Sequence, residues 1–279
     1  MIPCDFLYCR PDTLQDAHTT FMELQTNGKN PVYYAGGSEI ITMSRSGSIM
    51  PGAVIDIKAI PDCMLLSEDD ESLNIGAACT LHQIKESKLY PLLALTSGRI
   101  ADHTNQCRIT LGGNLCGSIH YRETSLPMLL SDAMITLYGN VGKKKVPFQS
   151  VFAGRMRLKS GELVVQLHVP KWAMQLQHFH VKRTTNEKID YPLVSMAAII
   201  VNSALRVAFS GVCFNPFRSI PMEAVLNNRT LTFSERAEQA VKLLPEPVLC
   251  DIKGSGAYRI FVLKNMLESL MEECANGQV

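Results

Sequence analysis

Short runs of alternating or continuous apolar residues, bounded by turn formers, recur through the first two-thirds of the chain. PVYYA (31–35), AVIDI (53–57) and SLNIGAAC (72–79) predict strands, and Thr80 predicts the cap of a helix through LHQIKESKL. AMITLYGNVGKKKVPF reads as a β-hairpin and ELVVQLHVP (162–170) as a closing strand, with a boundary near Pro170. Beyond it, HFHVKRT and the run from Leu193 to Val212 predict antiparallel sheet, followed by helices over 234–244 and 255–274. In the last of these, Leu263, Met266, Leu267, Leu270 and Met271 recur at three-to-four spacing, while Lys264, Glu268, Glu272 and Glu273 take the opposite side. That stripe faces a core and is not a cofactor box.

Composition narrows the picture. With 279 residues and 46% hydrophobic content the chain can bury a substantial core. A formal net charge of +1 supplies no global field toward nucleic acid or an anionic membrane, and neither is expected as a partner. Lys143, Lys144 and Lys145 are read as a solvated hairpin turn. No apolar run reaches the roughly 18–20 residues that cross a bilayer. MIPCDFLYCRPD lacks the basic start and long apolar stretch of a signal peptide, so a cytoplasmic location is expected. The nine cysteines are scattered and never two residues apart, which argues against a disulfide framework, a zinc knuckle or an iron–sulfur cluster held by this chain alone.

Two Gly-Gly doublets carry the candidate chemistry: YAGGSEI (34–40) and LGGNLCGS (111–118), each after a strand-like run and each followed by a small polar residue. In the first, the glycines are expected to end a strand and Ser38 to cap a short helix from Glu39, so that main-chain N–H groups converge as a nest for phosphate oxygens. Gly112 and Gly113 are expected to do the same from a second loop, with Thr110 and Asn114 offering side-chain hydrogen bonds to a diphosphate or polyol. Either doublet alone also fits an ordinary turn; two together suggest a dinucleotide. There is no GxxxxGK[ST], and GSGAYR (254–259) lacks the last glycine of GxGxxG, so neither a P-loop nor a Rossmann signature is present.

In this order, VYYAGGSEI, PGAVIDIKAIPD, LNIGAACTLHQI, RIADHTNQCRITLGGNLC and LPMLLSDAMITLYG resemble the FAD-binding subunit or domain of the xanthine dehydrogenase family of molybdenum hydroxylases. The likeness continues through DYPLVSMAAI and DIKGSGAYRIFVLKNML and so covers nearly the whole chain. It implies an α+β fold: a two-lobed FAD-binding domain of the vanillyl-alcohol-oxidase (PCMH) type over residues 1–171, then a smaller α+β domain like that of carbon monoxide dehydrogenase flavoproteins over 172–279. FAD would lie between them. The family's first loop maps onto Ala35, Gly36, Gly37, Ser38 and Glu39, whose main chain would hold the pyrophosphate. The second maps onto Thr110, Gly112, Gly113 and Asn114, reaching the pyrophosphate and ribityl chain, and Ile100 takes a position that packs near the cofactor in relatives.

The chain departs from the family pattern in places. Relatives often carry P-x-x-D after the second loop, its aspartate binding the polyol or adenosine part of the flavin, whereas this chain reads HYRETSLP. Glu123 matches counted ungapped from Thr110, Thr124 counted back from Pro127, and the carboxylate of Glu123 keeps the acceptor chemistry toward hydroxyls. In FHVKRTTNEKIDYP the column of a cation near the flavin or a pyridine nucleotide falls on His180 or Lys182. Arg99 and Arg108 fit a helix surface as well as a place near the ring. Cys116 is expected to be buried as a small apolar residue rather than to attach FAD covalently.

The resemblance implies an oxidoreductase subunit in which FAD relays electrons from the [2Fe-2S] clusters of a small partner chain to NAD or another acceptor. A large partner chain with the molybdenum cofactor would hydroxylate an aromatic heterocycle. No catalytic constellation and no metal site is expected in this chain. Two other readings stand beside it: a flavin-poor scaffold subunit, suggested by the altered HYRETS, and a self-contained FAD-dependent oxidase, for which the stretch after Pro170 is short.

Overall fold

The computed structural model describes residues 2–185 and 189–277. Twelve strands among these residues form three sheets. The first is parallel, in the order β1 (Leu7–Cys9), β3 (Ala53–Asp56), β2 (Pro31–Tyr34). Parallel neighbours need crossovers, and helices Leu14–Thr26 and Ser38–Arg45 supply them. Leu14, Ala17 and Phe21 recur at helical spacing and bury against Ile55 and Ile57, while Thr13 caps the first helix by accepting from the Asp16 amide.

The second sheet is antiparallel and contains β4 (Leu66–Glu68), β5 (Ser72–Gly76), β6 (Met134–Gly139), β7 (Gly142–Pro147) and β8 (Leu163–Pro170), in the order β4-β5-β8-β6-β7. The expected hairpin is β6–β7, with Gly139 opposite Gly142. Its lysines are not in the turn: they lie along β7, where Lys143 pairs with Asp62 (2.6 Å) and Lys144 with Glu162 (2.5 Å). The expected strand over 72–79 ends at Gly76, where the chain presses so close to Cys63 that an added Cβ would sit 2.2 Å from its carbonyl oxygen. Between β5 and β6, short helices Leu81–Ser87, Pro91–Ser97, Leu111–Cys116 and Ser125–Leu130 form a layer whose apolar residues share one core with the sheet.

The third sheet is antiparallel, in the order β12 (Phe217–Arg218), β11 (Ala204–Ser210), β10 (Val194–Val201), β9 (His178–Arg183), as the sequence pattern predicts. Side chains alternate between its faces. Phe179, Met196, Val207 and Phe209 pack on helices Ile220–Leu226, Phe233–Ala240 and Gly256–Asn276, the last burying the predicted stripe Leu263, Met266, Leu267, Leu270 and Met271. Ala197, Ile199 and Ala208 on the other face join the core of the helical layer, with Leu92, Leu126 and Leu130. Arg206 and Arg218 fasten the same side to Asp132, at 2.6 and 3.0 Å.

Candidate functional site

Strand β2 ends at Tyr34, and the chain passes through Ala35 and Gly36 into Gly37, whose φ of 71° is left-handed. Helix Ser38–Arg45 therefore begins at Ser38, with Gly37 as N-cap and no capping side chain; Ser38 does not act as the expected cap, and its buried Oγ makes no hydrogen bond. Among the described residues, no protein acceptor takes the amides of Gly36, Gly37, Ser38, Glu39 or Ile40. Five unclaimed N–H groups at a helix N-terminus concentrate positive potential, which is the chemistry an anion requires. Lys58 stands beside them. Its Nζ donates to Ala35 O (2.8 Å), pairs with Asp56 (2.7 Å) and lies 4.8 Å above the Tyr34 ring. Burial works against the Asp56 carboxylate, yet hydrogen bonds from Lys58 and Tyr8 hold its carboxyl below the ordinary range. A cavity of about 400 Å³ bordered by Tyr8, Tyr34, Ile40, Asp56 and Lys58 opens there.

The second doublet is built differently. It lies inside helix Leu111–Cys116, with Thr110 as N-cap, rather than in a loop after a strand. Its amides already have partners: Leu111 donates to Cys79 O (2.9 Å), Gly112 to Ala77 O (2.8 Å), Gly113 to Thr110 Oγ1 (3.2 Å) and Asn114 to Thr110 O (2.8 Å). The two glycines also differ. A Cβ on Gly112 would strike Ala77 Cβ at 2.7 Å, whereas one on exposed Gly113 would meet only Thr110 Oγ1, at 2.9 Å.

The doublets are locked together. A Cβ on Gly36 would fall 1.7 Å from Arg108 O, so the first loop can approach the second only as glycine. Glu39 reaches across and accepts from the amides of Ser118 (2.6 Å) and Ile119 (3.3 Å). Asn114 Oδ1 accepts from Thr124 Oγ1 (2.6 Å), so Thr124 braces the second doublet. Glu123 turns instead toward β9: its carboxylate pairs with Lys182 Nζ at 2.9 Å, each side chain only 4% exposed, while its other oxygen is buried without a hydrogen bond. Lys182 Nζ also donates to Arg99 O (2.9 Å). The segment carrying that carbonyl and the buried Ile100 is held by Gln106 Nε2, which donates to the carbonyls of Gly98, Ile100 and Ala101.

Period two along β9 places His180 on the same face as Lys182, with Nε2 3.3 Å from Ser195 Oγ. Burial, reinforced by Arg99 and Lys182, pushes the imidazole down to about 3. It is therefore neutral near pH 7, and Lys182 is the cation on this face of the strand, Arg183 falling on the other. The structure thus joins both doublets, Thr124, Glu123, Ile100 and Lys182 into one chain of contacts, with His180 beside it. The side chains of Arg99 and Arg108 are exposed; their carbonyls serve the site. Cys116, expected to be buried, is exposed by residue surface, but its thiol sits in surroundings whose burial pushes it up to about 12. Asp56 and Lys58 are missed by the sequence reading although AVIDIK carries both, a buried acid beside a lysine at a strand end being the available signal; Tyr34, just ahead of the first doublet, is missed with them.

The model of a family described as the FAD binding domain in molybdopterin dehydrogenase matches residues 4–172. The chain belongs to that family. Its cofactor is FAD and its chemistry is oxidoreduction. This FAD-binding chain is 24% identical to the carbon monoxide dehydrogenase medium chain of Hydrogenophaga pseudoflava, over 99% of its own length and 100% of the relative's. It is 23% identical to caffeine dehydrogenase subunit beta of Pseudomonas sp. (strain CBB1), over 61% and 59% of the two chains. In fold it matches quinoline 2-oxidoreductase of Pseudomonas putida 86 with a TM-score of 0.87 at 22% identity, over 99% of both chains. Carbon monoxide dehydrogenase of Hydrogenophaga pseudoflava gives 0.86 at 23% identity, over 96% of both. The geometry suits the FAD that the family binds: the uncapped turn after Gly37 offers N–H donors to its diphosphate, and the orphaned oxygens of Ser38 and Glu123 offer polar partners.

Proposed function

We propose that this chain is the FAD-binding subunit of a multi-subunit molybdenum hydroxylase, carrying electrons from the [2Fe-2S] clusters of a small partner chain to NAD or another acceptor. Oxidation of the substrate belongs to a large partner chain that holds the molybdenum cofactor. Bound FAD supplies the junction between one-electron carriers and a two-electron acceptor. The observation that carries the reading is the set of five unclaimed amides from Gly36 to Ile40 in a member of this family.

In this reading residues 1–171 form a two-lobed FAD-binding domain and 172–279 a smaller domain that closes over it. The amides of the first loop hold the diphosphate, with Ala35 and Glu39 fixing that loop from either end through Lys58 and Ser118. Gly113 leaves room for the cofactor beside Asn114, while Thr110 and Gly112 act by shaping the second turn. Glu123 and Thr124 share the work: Glu123 offers its free oxygen to a hydroxyl of the cofactor, and Thr124 orients Asn114. Ile100 supplies apolar contact. Lys182 places positive charge on the β9 side of the cradle, and His180 supplies a neutral imidazole next to it.

Flavin-free protein is expected to take up one FAD per chain, read by flavin fluorescence, and acid should release all of it from the denatured chain. Anaerobic mixing with a reduced [2Fe-2S] partner should bleach the flavin, and NADH should do so if NAD is the acceptor. Failure to bind FAD overturns the proposal; reduction by a heterocycle without partner chains overturns the division of labour.

A further inference from the structure

A second group of donors lies outside the flavin cradle. Thr80 and Thr110 form an antiparallel bridge, with the Leu81 amide donating to Ile109 O and the Leu111 amide to Cys79 O, both at 2.9 Å. That register brings residue 82, two positions after one bridge partner, level with residues 107–108, just before the other. His82 is on helix Leu81–Ser87, which is fixed by a capping box between Thr80 and Gln83. His103 opens helix His103–Gln106, capped by Asp102, and Cys107 closes it with its amide bonded to His103 O (3.1 Å). One nitrogen from each imidazole and the Cys107 sulfur lie within 4.8 Å of one another; Cys107 Sγ is 3.8 Å from His103 Nε2, and the two rings meet edge to face at 4.8 Å. Nδ1 of His82 is buried and has no hydrogen-bond partner among the described residues.

We propose that His82, His103 and Cys107 form a binding site for a divalent cation of the zinc class. Two imidazole nitrogens and one thiolate are a borderline-soft donor set, unlike the oxygen cages that select calcium or magnesium. With bonds of about 2.0–2.1 Å to nitrogen and about 2.3 Å to sulfur, tetrahedral ligands stand roughly 3.3–3.6 Å apart. The His103–Cys107 separation is already near that value, and small side-chain rotations close the rest. The exposed positions of His103 and Cys107 leave the fourth place to water. Binding releases the Cys107 thiol proton to solvent and forms a metal–sulfur bond without any redox change. The ion would brace the bridge that carries Thr110, and the site does not depend on the flavin.

The full-length protein, stripped with a chelator, is expected to bind one Co(II) per chain. A difference spectrum against metal-free protein should show thiolate-to-cobalt charge transfer and tetrahedral d–d bands, which Zn(II) should bleach by displacement. Cys107→Ser should abolish the charge-transfer band, and His82→Ala should weaken binding at least about 100-fold, since outer partners of a metal site alone are worth about 10–100-fold. Cys250→Ser, at another exposed thiol, should change nothing. In the parent, Zn(II) should protect Cys107 from alkylation and leave Cys250 reactive, a readout that needs no variant to fold. Absence of stoichiometric cobalt binding, a charge-transfer band that survives in Cys107→Ser, or failure of Zn(II) to displace cobalt or to protect Cys107 overturns the proposal.

Discussion

Gly112 and Gly113 are adjacent yet lack side chains for different reasons. Gly112→Ala drives a methyl into Ala77 and is expected to cost about 1–3 kcal/mol of stability, as overpacking does, seen as a lower urea midpoint. Gly113→Ala brings its methyl against the Thr110 hydroxyl alone, which can shift by a few tenths of an ångström, and should lower the midpoint less than Gly112→Ala while raising the FAD dissociation constant. Equal behaviour in both assays would remove the distinction. Glu123 and Lys182 invite a second test, because a buried pair is worth most when it is half broken. Lys182→Met should lose about 3–5 kcal/mol, and Glu123→Leu combined with it should recover most of that loss in urea unfolding.

Two histidines set an acid limit. Burial lowers His180 to about 3 and, helped by Lys145, His168 to about 4, from an ordinary 6.5. His168 lies between Asn74 Oδ1 (2.5 Å) and Thr136 Oγ1 (2.7 Å) in the second sheet. Below pH 6.5 the unfolded chain takes up protons that the folded chain refuses, so this stability is present above 6.5 and is lost as pH falls toward 4 and then 3. Urea midpoints should therefore fall from pH 6.5 to 4, and His168→Gln should flatten the slope.

At the scale of elements, helix Ser38–Arg45 works through its uncapped end and through Glu39, which ties it to Ser118 and Ile119. Glu39→Ala is expected to weaken FAD by about 1–3 kcal/mol and to expose the 117–122 turn to proteolysis, with the core intact. Much of this architecture could be read from the chain. Hairpin β6–β7 and the third sheet have strong alternation, and Leu263 to Met271 mark one helix face. Helix Ser125–Leu130 could not be read that way: all six of its residues are buried, so it has no polar face to reveal a period. Helix Leu14–Thr26 has such a face and went unread, as did strand β1, only three residues long. The glycine turn and helix start of the first doublet were legible because both are local signals. The helical setting of the second was not legible, because the Leu111 and Gly112 amides bond to the carbonyls of Cys79 and Ala77, far upstream. Whether Glu123 or Thr124 matters could not be read either, since Lys182 lies 59 positions away. The His103–Cys107 spacing was visible; its convergence with His82 depends on the Thr80–Thr110 bridge.

At the scale of the molecule, the third sheet shares its inner face with the helical layer, so Ala197, Ile199 and Ala208 cannot separate from Leu92 and Leu126 without exposing both. Calorimetry of flavin-free protein is expected to show a single cooperative transition; two resolved transitions would mean the layers fold independently. The cross-links of the cradle also order events in time. Gly36 needs the Arg108 carbonyl, Glu39 needs the amides of 118 and 119, and Glu123 needs Lys182. A ribosome delivers these partners in that sequence, tens of residues apart, at about 5–20 residues per second. The first loop must therefore wait several seconds with its amides facing water. The cradle is complete only when β9 has emerged, so flavin loading follows the appearance of Lys182 rather than that of the first loop, and a nascent chain arrested before Lys182 should hold FAD less tightly than one arrested after β12.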